Sequence, residues 1–185
     1  FKNHFSGKCE KIGVWGDGSL GYVTVIALKH FFPDSQIIVF GHNVRKSLRF
    51  MIADRIIDTA EVFENIQLDC AFECVGGRNS AHAIQQCIDL LRPQGCISLM
   101  GVSEDPIPID TRRVLEKGLT LLGNSRSERE DFEETIKIID KNTRIRTLLN
   151  TIISETIEVT SLKDVYKSFE HAQINDFKTI LKWRL

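Results

Sequence analysis

The 185-residue chain has a formal net charge of −1, with 42% hydrophobic and 26% charged residues. This balance is typical of a globular protein with one compact domain and a short extra element. The near-neutral charge argues against general nucleic-acid binding, because the chain has no basic excess to contact phosphate backbones. No apolar run approaches the roughly 20 residues needed to cross a bilayer. We therefore expect neither nucleic acid nor membrane as a partner.

Strand-like and helix-like patterns alternate along the first 150 residues. The predicted strands cover residues 11–15, 36–40, 55–57, 69–74, 96–100 and 119–122. The predicted helices cover residues 19–32, 44–53 and 111–117, with others beginning at Asn79 or Ser80 and at a capping box over Ser127–Glu130. Because the strands are apolar on both faces, the pattern predicts a parallel sheet covered by helices. The fold class predicted is α/β, a doubly wound six-stranded Rossmann sheet.

The last 35 residues have a different pattern. A strand over residues 152–159, a helix after a capping box over residues 161–164, and a strand-like run over residues 178–185 carry too few apolar residues for a core. We therefore predict a dinucleotide-binding domain over residues 1–150 and a segment over residues 151–185 that packs on a neighbouring domain. The chain opens at Phe1 without an initiator methionine, so we expect it to be part of a longer protein.

The cysteines are odd in number and lie mostly in apolar runs: Cys9, Cys70, Cys74, Cys87 and Cys96. No cysteine or histidine near Cys70 and Cys74 completes a zinc spacing. We interpret the buried cysteines as free thiols in the core of a cytoplasmic protein. The sequence therefore predicts no metal ligand in this chain.

A glycine-rich turn connects the first predicted strand to the first helix. Gly16, Gly18 and Gly21 form a G-x-G-x-x-G pattern, completed by Ser19 and Leu20. The first glycine permits the sharp turn, the second admits a diphosphate to the backbone, and the third allows close helix packing. The amide groups at the helix N-terminus then face the anion. The alternative, a purely structural turn, is disfavoured by the strand–turn–helix context.

The end of the second strand bears on the choice between NAD and NADP. NAD-binding domains usually place an acid there to bind the ribose 2′-hydroxyl group, and this strand end has none. Gly41 leaves room for a 2′-phosphate, and His42, Arg45 and Lys46 offer positive donors. The alternative is that Arg45 and Lys46 only solvate the start of a helix. The sequence favours NADPH as the cofactor.

Three later turns should line the same crevice, because ligands bind at the carboxyl ends of parallel strands. The candidate residues in these turns are Cys74, Val75, Gly76, Gly101, Val102, Ser103, Asn124 and Ser125. Their glycines could equally be ordinary turn residues that contact no ligand. Glu73, within the fourth strand, is interpreted as a buried, hydrogen-bonded structural acid without a catalytic role.

These motifs resemble those of the zinc-containing medium-chain alcohol dehydrogenases, and within them the bacterial ribulose-5-phosphate reductases (ribitol-5-phosphate dehydrogenases). The resemblance covers nearly the whole chain and is most specific over residues 12–21, 38–41, 71–78, 100–104, 115–121 and 178–183. The chain departs from the family at Phe177, where a glycine is frequent before Lys178. We therefore assign Lys178 no phosphate contact.

The resemblance implies an NADPH-dependent reduction of D-ribulose 5-phosphate to D-ribitol 5-phosphate, in teichoic-acid and capsule precursor synthesis. It also implies a catalytic zinc whose ligands lie in a domain preceding the Rossmann unit, so the catalytic residues lie outside this chain. Residues 151–185 would return to that catalytic domain. The family commonly dimerises through the edge of the sixth strand, so we expect a homodimer.

Two other functions remain open from the residues alone. The chain could serve a zinc-type dehydrogenase of another polyol or alcohol, because the Rossmann half does not choose the substrate. It could also be a dinucleotide-sensing module without enzymatic activity, although the sequence shows no effector domain.

Overall fold

The computed structural model describes residues 7, 9–42, 48–61, 65–123, 125–175 and 177–184. The chain divides into two compact units, Phe1–Ser125 and Arg126–Leu185. This division falls earlier than the boundary expected after residue 150, and the boundary between the functional domains stays a prediction.

The first unit contains a six-stranded sheet. Its strands are β1 (Lys11–Trp15), β2 (Gln36–Gly41), β3 (Arg55–Asp58), β4 (Leu68–Glu73), β5 (Leu91–Leu99) and β6 (Thr120–Gly123). The strand order is β3-β2-β1-β4-β5-β6, and every neighbouring pair is parallel. The chain starts in the middle of the sheet, builds outward to β3, and crosses back to β4. This order confirms the predicted doubly wound Rossmann fold.

Helices connect these strands. They are α1 (Ser19–Phe31), α2 (Ser80–Leu90) and α3 (Thr111–Lys117), with short 3₁₀ helices at Leu48–Phe50 and Gly77–Asn79. The central strands β1 and β2 are buried along almost their whole length. Their apolar residues pack beneath α2 in one core with those of β4 and β5. Burial on both faces explains why these strands read as continuous apolar runs instead of alternating ones.

Two predicted elements differ from the structure. The helix expected over residues 44–53 lies partly outside the described residues, and its described part is the 3₁₀ helix at Leu48–Phe50 followed by turns. Strand β5 begins at Leu91, five residues earlier than predicted. Leu91 pairs with Leu68, and Cys96 pairs with Cys70. An advance of five residues along β5 therefore lies opposite an advance of two residues along β4. Pro93 and Gly95, residue types that are typical of turns, therefore lie in a bulge within a strand.

The second unit contains α4 (Arg129–Lys141), α5 (Thr143–Asn150), β7 (Ile153–Val159), α6 (Leu162–Ile174) and β8 (Lys178–Trp183). Strands β7 and β8 form a parallel pair joined by α6. The capping box predicted before α6 is confirmed, with Ser161 as N-cap and Asp164 three residues later. The box before α4 lies one residue later than predicted, because the Asp131 carboxylate accepts the N–H of Glu128 at 2.8 Å. None of the described helices has the length and apolar character needed to cross a bilayer.

Candidate functional site

The glycine turn follows β1 at the centre of the sheet. Gly16 has φ +119°, a conformation that side chains rarely adopt, and a Cβ atom there would lie 2.9 Å from the carbonyl oxygen of Cys74. Its N–H donates to the carbonyl oxygen of Phe40 at 2.9 Å, and the N–H of Cys74 donates to that of Trp15 at 2.8 Å. The turn is therefore fixed between the ends of β2 and β4.

The next two glycines have the surroundings that the motif predicts, and their contact with a cofactor stays a prediction. A Cβ atom on Gly21 would overlap the carbonyl oxygen of Gly16, so α1 approaches the turn only because this residue lacks a side chain. Gly18 has nothing within 4 Å of an added Cβ atom, so its outer side is open. Gly18 is the N-cap of α1, no side chain caps it, and the first turn of the helix contains no acid. The free amides and positive dipole of this N-terminus favour an anion.

A cavity of about 730 Å³ opens beside this turn, within the range of about 300–1,000 Å³ common for small-molecule sites. Six predicted site residues line it: Gly16, Gly18, Gly41, His42, Cys74 and Val75. The lining also includes residues that the sequence did not indicate: Trp15, Asp17, Phe40, Thr59, Ala60, Asn79, His82, Ala83 and Gln86. The carboxyl ends of β1, β2 and β4 thus meet at one cavity, as parallel topology requires.

Other predicted site residues do not line this cavity: Ser19, Leu20, Gly21, Gly76, Gly101, Val102, Ser103 and Ser125. Arg45, Lys46 and Asn124 lie outside the described residues. The first group still belongs to the turns that follow β4, β5 and β6 or to the start of α1. Their contact with a cofactor stays a prediction.

A buried carboxylate joins the turns after β4 and β5. Glu73 is fully buried. Its Oε1 accepts the N–H groups of Val75 and Gly76, both at 2.9 Å, and its Oε2 accepts the N–H of Gly101 at 3.0 Å. The N–H of Gly77 also donates to the carbonyl oxygen of Val102 at 2.8 Å. The interpretation of Glu73 as a buried, hydrogen-bonded acid is confirmed, and the structure shows that it joins the turns after β4 and β5.

An acid lies at the end of β2 although the local sequence has none. The Oδ2 atom of Asp17 accepts the N–H of His42 at 2.9 Å. Among the described lining residues, Asp17 is the one acidic side chain, whereas His42 and His82 are titratable bases. The expectation that no carboxylate lies near the end of β2 is therefore wrong, because Asp17 reaches this strand end from the turn after β1. The signal was available, because adjacent parallel strands place the turn after β1 beside the end of β2.

Two aromatic rings form a rigid base for the cavity. The rings of Trp15 and Phe40 stack with centroids 4.0 Å apart and an interplanar angle of 8°. Trp15 Nε1 donates to Gln86 Oε1 at 2.9 Å, and Gln86 Nε2 donates to the carbonyl oxygen of Thr59 at 3.4 Å. The indole is therefore fixed by both packing and a hydrogen bond.

The thiol of Cys74 lies on the cavity wall, where burial raises its pKa to about 12. Thr24 Oγ1 lies 3.6 Å from its sulfur. Protonated at neutral pH, this thiol is a packing group and not a nucleophile. Within the described ranges, no group of three or more His, Cys, Asp or Glu side chains could hold a metal.

Comparison with known proteins agrees with this geometry. A sequence profile described as zinc-binding dehydrogenase matches residues 24–141, more than half of the chain. The chain belongs to the zinc-binding dehydrogenase family. The resemblance noted in the sequence is thereby confirmed at the family level.

Similar proteins carry more specific names. The chain is 40% identical over 179 residues to a ribulose-5-phosphate reductase of Bacillus spizizenii, a match covering 96% of the chain and 52% of that protein. It is 42% identical over 172 residues to ribulose-5-phosphate reductase 1 of Staphylococcus aureus, covering 92% and 50% respectively. The chain thus spans about half the length of these relatives.

A solved structure is similar throughout the chain. The crystal structure of S. aureus TarJ in complex with NADPH superposes with a TM-score of 0.92 at 40% identity, covering 100% of this chain and 58% of that one. An alcohol dehydrogenase from Thermotoga maritima, at 21% identity and a TM-score of 0.81, shares the fold.

Proposed function

We propose that this chain is the NADPH-binding part of an oxidoreductase that reduces D-ribulose 5-phosphate to D-ribitol 5-phosphate. The observation that carries the proposal is the uncapped N-terminus of α1, which opens beside Gly18 into a cavity at the centre of a parallel sheet. The similarity to TarJ, which was crystallised with NADPH, supports the choice of cofactor. The reductase relatives support the reaction and its small sugar-phosphate substrate.

The described residues fit a dinucleotide. The diphosphate would be held by the backbone amides between Gly16 and Gly21. The space beside Gly18 is open, whereas backbone atoms lie nearest to the Cβ positions of Gly16 and Gly21. The adenosine end would lie toward Gly41 and His42, and the stacked rings of Trp15 and Phe40 close the base of the cavity. Arg45 and Lys46 remain proposed donors to the 2′-phosphate. The turns fixed by Glu73 would set the wall at the nicotinamide end.

Bound NADPH would supply the hydride for reduction of a ketone carbonyl. The groups of this chain would then act by binding and orienting the cofactor, since Cys74 is protonated and Glu73 is fully hydrogen-bonded by backbone amides. In the family, the zinc that polarises the carbonyl belongs to the preceding catalytic domain. We propose the same arrangement here, with the cofactor bound by this chain. We also propose the cytoplasm, where NADPH is available, as the location, and teichoic-acid or capsule precursors as the use of the product.

We further propose that two copies pair along β6. This strand is one of the two edges of the sheet, and its sequence, Thr120-Leu121-Leu122-Gly123, carries no charge. The opposite edge, β3, begins with Arg55 and ends with Asp58. Charged residues on an edge strand disfavour pairing with a strand of another chain, whereas an apolar edge strand favours it. This contrast supports β6 as the dimer edge.

The proposal is tested by titrating the chain with NADPH and with NADH while exciting tryptophan. Trp15 lines the cavity, so energy transfer from its indole to the reduced nicotinamide reports binding. The variant Gly18→Ala adds a methyl group on the open side of the turn, where it meets no protein atom. We expect it to fold normally and to bind NADPH at least tenfold more weakly, a loss of about 1.4 kcal/mol.

The matched control is Gly123→Ala, which also adds a methyl group with nothing within 4 Å, but at the end of β6. It lies away from the proposed diphosphate site and should weaken NADPH binding far less than Gly18→Ala does. Wild-type chain that binds NADH as tightly as NADPH would contradict the cofactor assignment. Equal NADPH affinity in the Gly18 and Gly123 variants would contradict the placement of the diphosphate.

A further inference from the structure

Two cysteine sulfurs lie against each other at the end of the sheet opposite the cofactor cavity. Cys9 Sγ is 2.6 Å from Cys70 Sγ, and both residues are free thiols. The two sulfurs are therefore in direct contact, which is the arrangement that disulfide formation requires. Cys9 is half-buried, whereas Cys70 is buried in β4. A dissolved oxidant can therefore reach the first sulfur more easily than the second.

The backbone on both sides of the pair is held in place. Asp69, next to Cys70, accepts the N–H groups of Glu10 and Lys11 through its Oδ2 atom, at 2.7 and 2.8 Å. The hydroxyl group of Ser35 donates to the carbonyl oxygen of Cys9. The Asp69 bonds tie the segment entering β1 to β4, and the Ser35 bond ties it to the start of β2, so the backbone around Cys9 is held beside Cys70.

The surroundings give the two thiols different roles. The hydrogen bond with Cys70 lowers the pKa of Cys9, and the positive charge of Arg92 acts in the same direction. The same hydrogen bond, followed by burial, raises the pKa of Cys70. Cys9 is also the more accessible of the two sulfurs, so it is the one that an oxidant meets first, and its thiolate is the nucleophilic form. The buried sulfur retains its proton and is placed to react second.

We propose that Cys9 and Cys70 are a redox modification site that a hydroperoxide converts to a disulfide. The Cys9 thiolate attacks a peroxide oxygen, forming an S–O bond while the O–O bond breaks, and the departing hydroxide takes a proton to become water. The Cys70 sulfur then attacks the Cys9 sulfenic acid, and its proton leaves with the displaced hydroxide as a second water. Two thiols lose two electrons in total, and one hydrogen peroxide gains them. A thiol reductant reverses the bond.

This site is separate from the cofactor cavity. Cys70 lies opposite Ile12 in the register of β4 and β1, and the glycine turn begins at Gly16, four residues further along β1. At about 3.3 Å per residue, that is roughly 13 Å along the sheet. The proposal therefore does not rest on NADPH binding, and the oxidised chain should keep its NADPH affinity.

The test treats the reduced 185-residue chain with one equivalent of hydrogen peroxide and maps its peptides by mass spectrometry. We expect the intact mass to fall by about 2 Da and one linked peptide pair to contain Cys9 and Cys70. The variant Cys9→Ser should lose this pair. The matched control Cys87→Ala removes a thiol that is fully buried in α2 without adding a polar group, and it should retain the pair.

A second measurement follows unfolding. The bond would close a loop between residues 61 positions apart, which should raise the Tm by roughly 5 °C or more, reversibly with dithiothreitol. Cys9→Ser should show no such rise. Sulfinic or sulfonic acid on an unlinked Cys9, a bond from Cys70 to Cys96, or no reaction of the wild-type chain would each overturn the proposal. Because Cys9 is not in the core, its variant avoids the folding defect that replacing Cys70 could cause.

Discussion

Glu73 is a fully buried carboxyl group whose two oxygens accept three backbone N–H groups. The variant Glu73→Gln keeps the shape but places an NH₂ group opposite one of these donors, so two donors face each other. We expect a loss of about 2–3 kcal/mol in the free energy of unfolding, typical of a buried polar group left without a partner. Urea unfolding followed by circular dichroism measures it.

The same substitution on the surface is the control for this prediction. Glu158→Gln changes an exposed carboxylate that pairs with Arg184 at 2.6 Å, and surface ion pairs contribute about 0–1 kcal/mol. If Glu73→Gln costs no more than Glu158→Gln, Glu73 does not hold the turns after β4 and β5. A positioning role also predicts weaker NADPH binding by folded Glu73→Gln, because Gly76 and Gly101 would shift together.

At the scale of elements, the start of α6 depends on one carboxylate. Asp164 Oδ2 accepts the N–H and hydroxyl groups of Thr160 and Ser161, at distances between 2.9 and 3.1 Å. These bonds, with the Thr160 N–H as the largest contribution, hold the pKa of Asp164 at about 2, below its ordinary 3.8. The folded form binds its proton less readily than the unfolded form. The stabilisation is therefore complete above about pH 3.8 and is lost as the pH falls through 2.

A ¹³C NMR titration of the Asp164 carboxyl carbon should show a midpoint near 2. Asp164→Asn should fray the first turn of α6 already at neutral pH. In acid, this variant should therefore lack the loss of helix signal that the wild-type chain shows when Asp164 is protonated. A midpoint near 3.8 would mean that the capping box is not formed in solution.

The sequence predicted elements well wherever a pattern is local. Apolar runs located five strands to within one or two residues at their start, and the glycine turn indicated the first βαβ connection. Ser127 is a preferred N-cap type, whereas the helix uses Glu128, so the box before α4 was predicted one residue early. The bulge in β5 arises from its pairing with β4, which no local pattern records.

The candidate site was predictable in outline for the same reason. The turns that meet at the cavity follow from the topology, whereas side-chain contacts between distant segments do not. Asp17 and His42 are 25 residues apart, and their hydrogen bond became visible only once β1 and β2 lay side by side. Trp15 and Gln86 are 71 residues apart and form the cavity base in the same way.

At the scale of the whole molecule, the two edges of the sheet should behave differently. If copies pair through β6, a charge introduced on this strand would oppose association, because charged side chains on an edge strand disfavour pairing with another strand. Leu122→Lys places such a charge on the edge strand, where Leu122 is partly buried. We expect light scattering after gel filtration to show a dimer for the wild-type chain and a monomer for this variant.

The matched control for the dimer is Ile56→Lys, which introduces the same charge on β3, the opposite edge. Because β3 already carries Arg55 and Asp58, it is protected against pairing, and the control should remain a dimer. Circular dichroism of both variants separates a lost interface from a lost fold. A wild-type monomer at all concentrations, or equal disruption by both lysines, would exclude β6 as the dimer edge. Dissociation by Ile56→Lys alone would instead place the interface at β3.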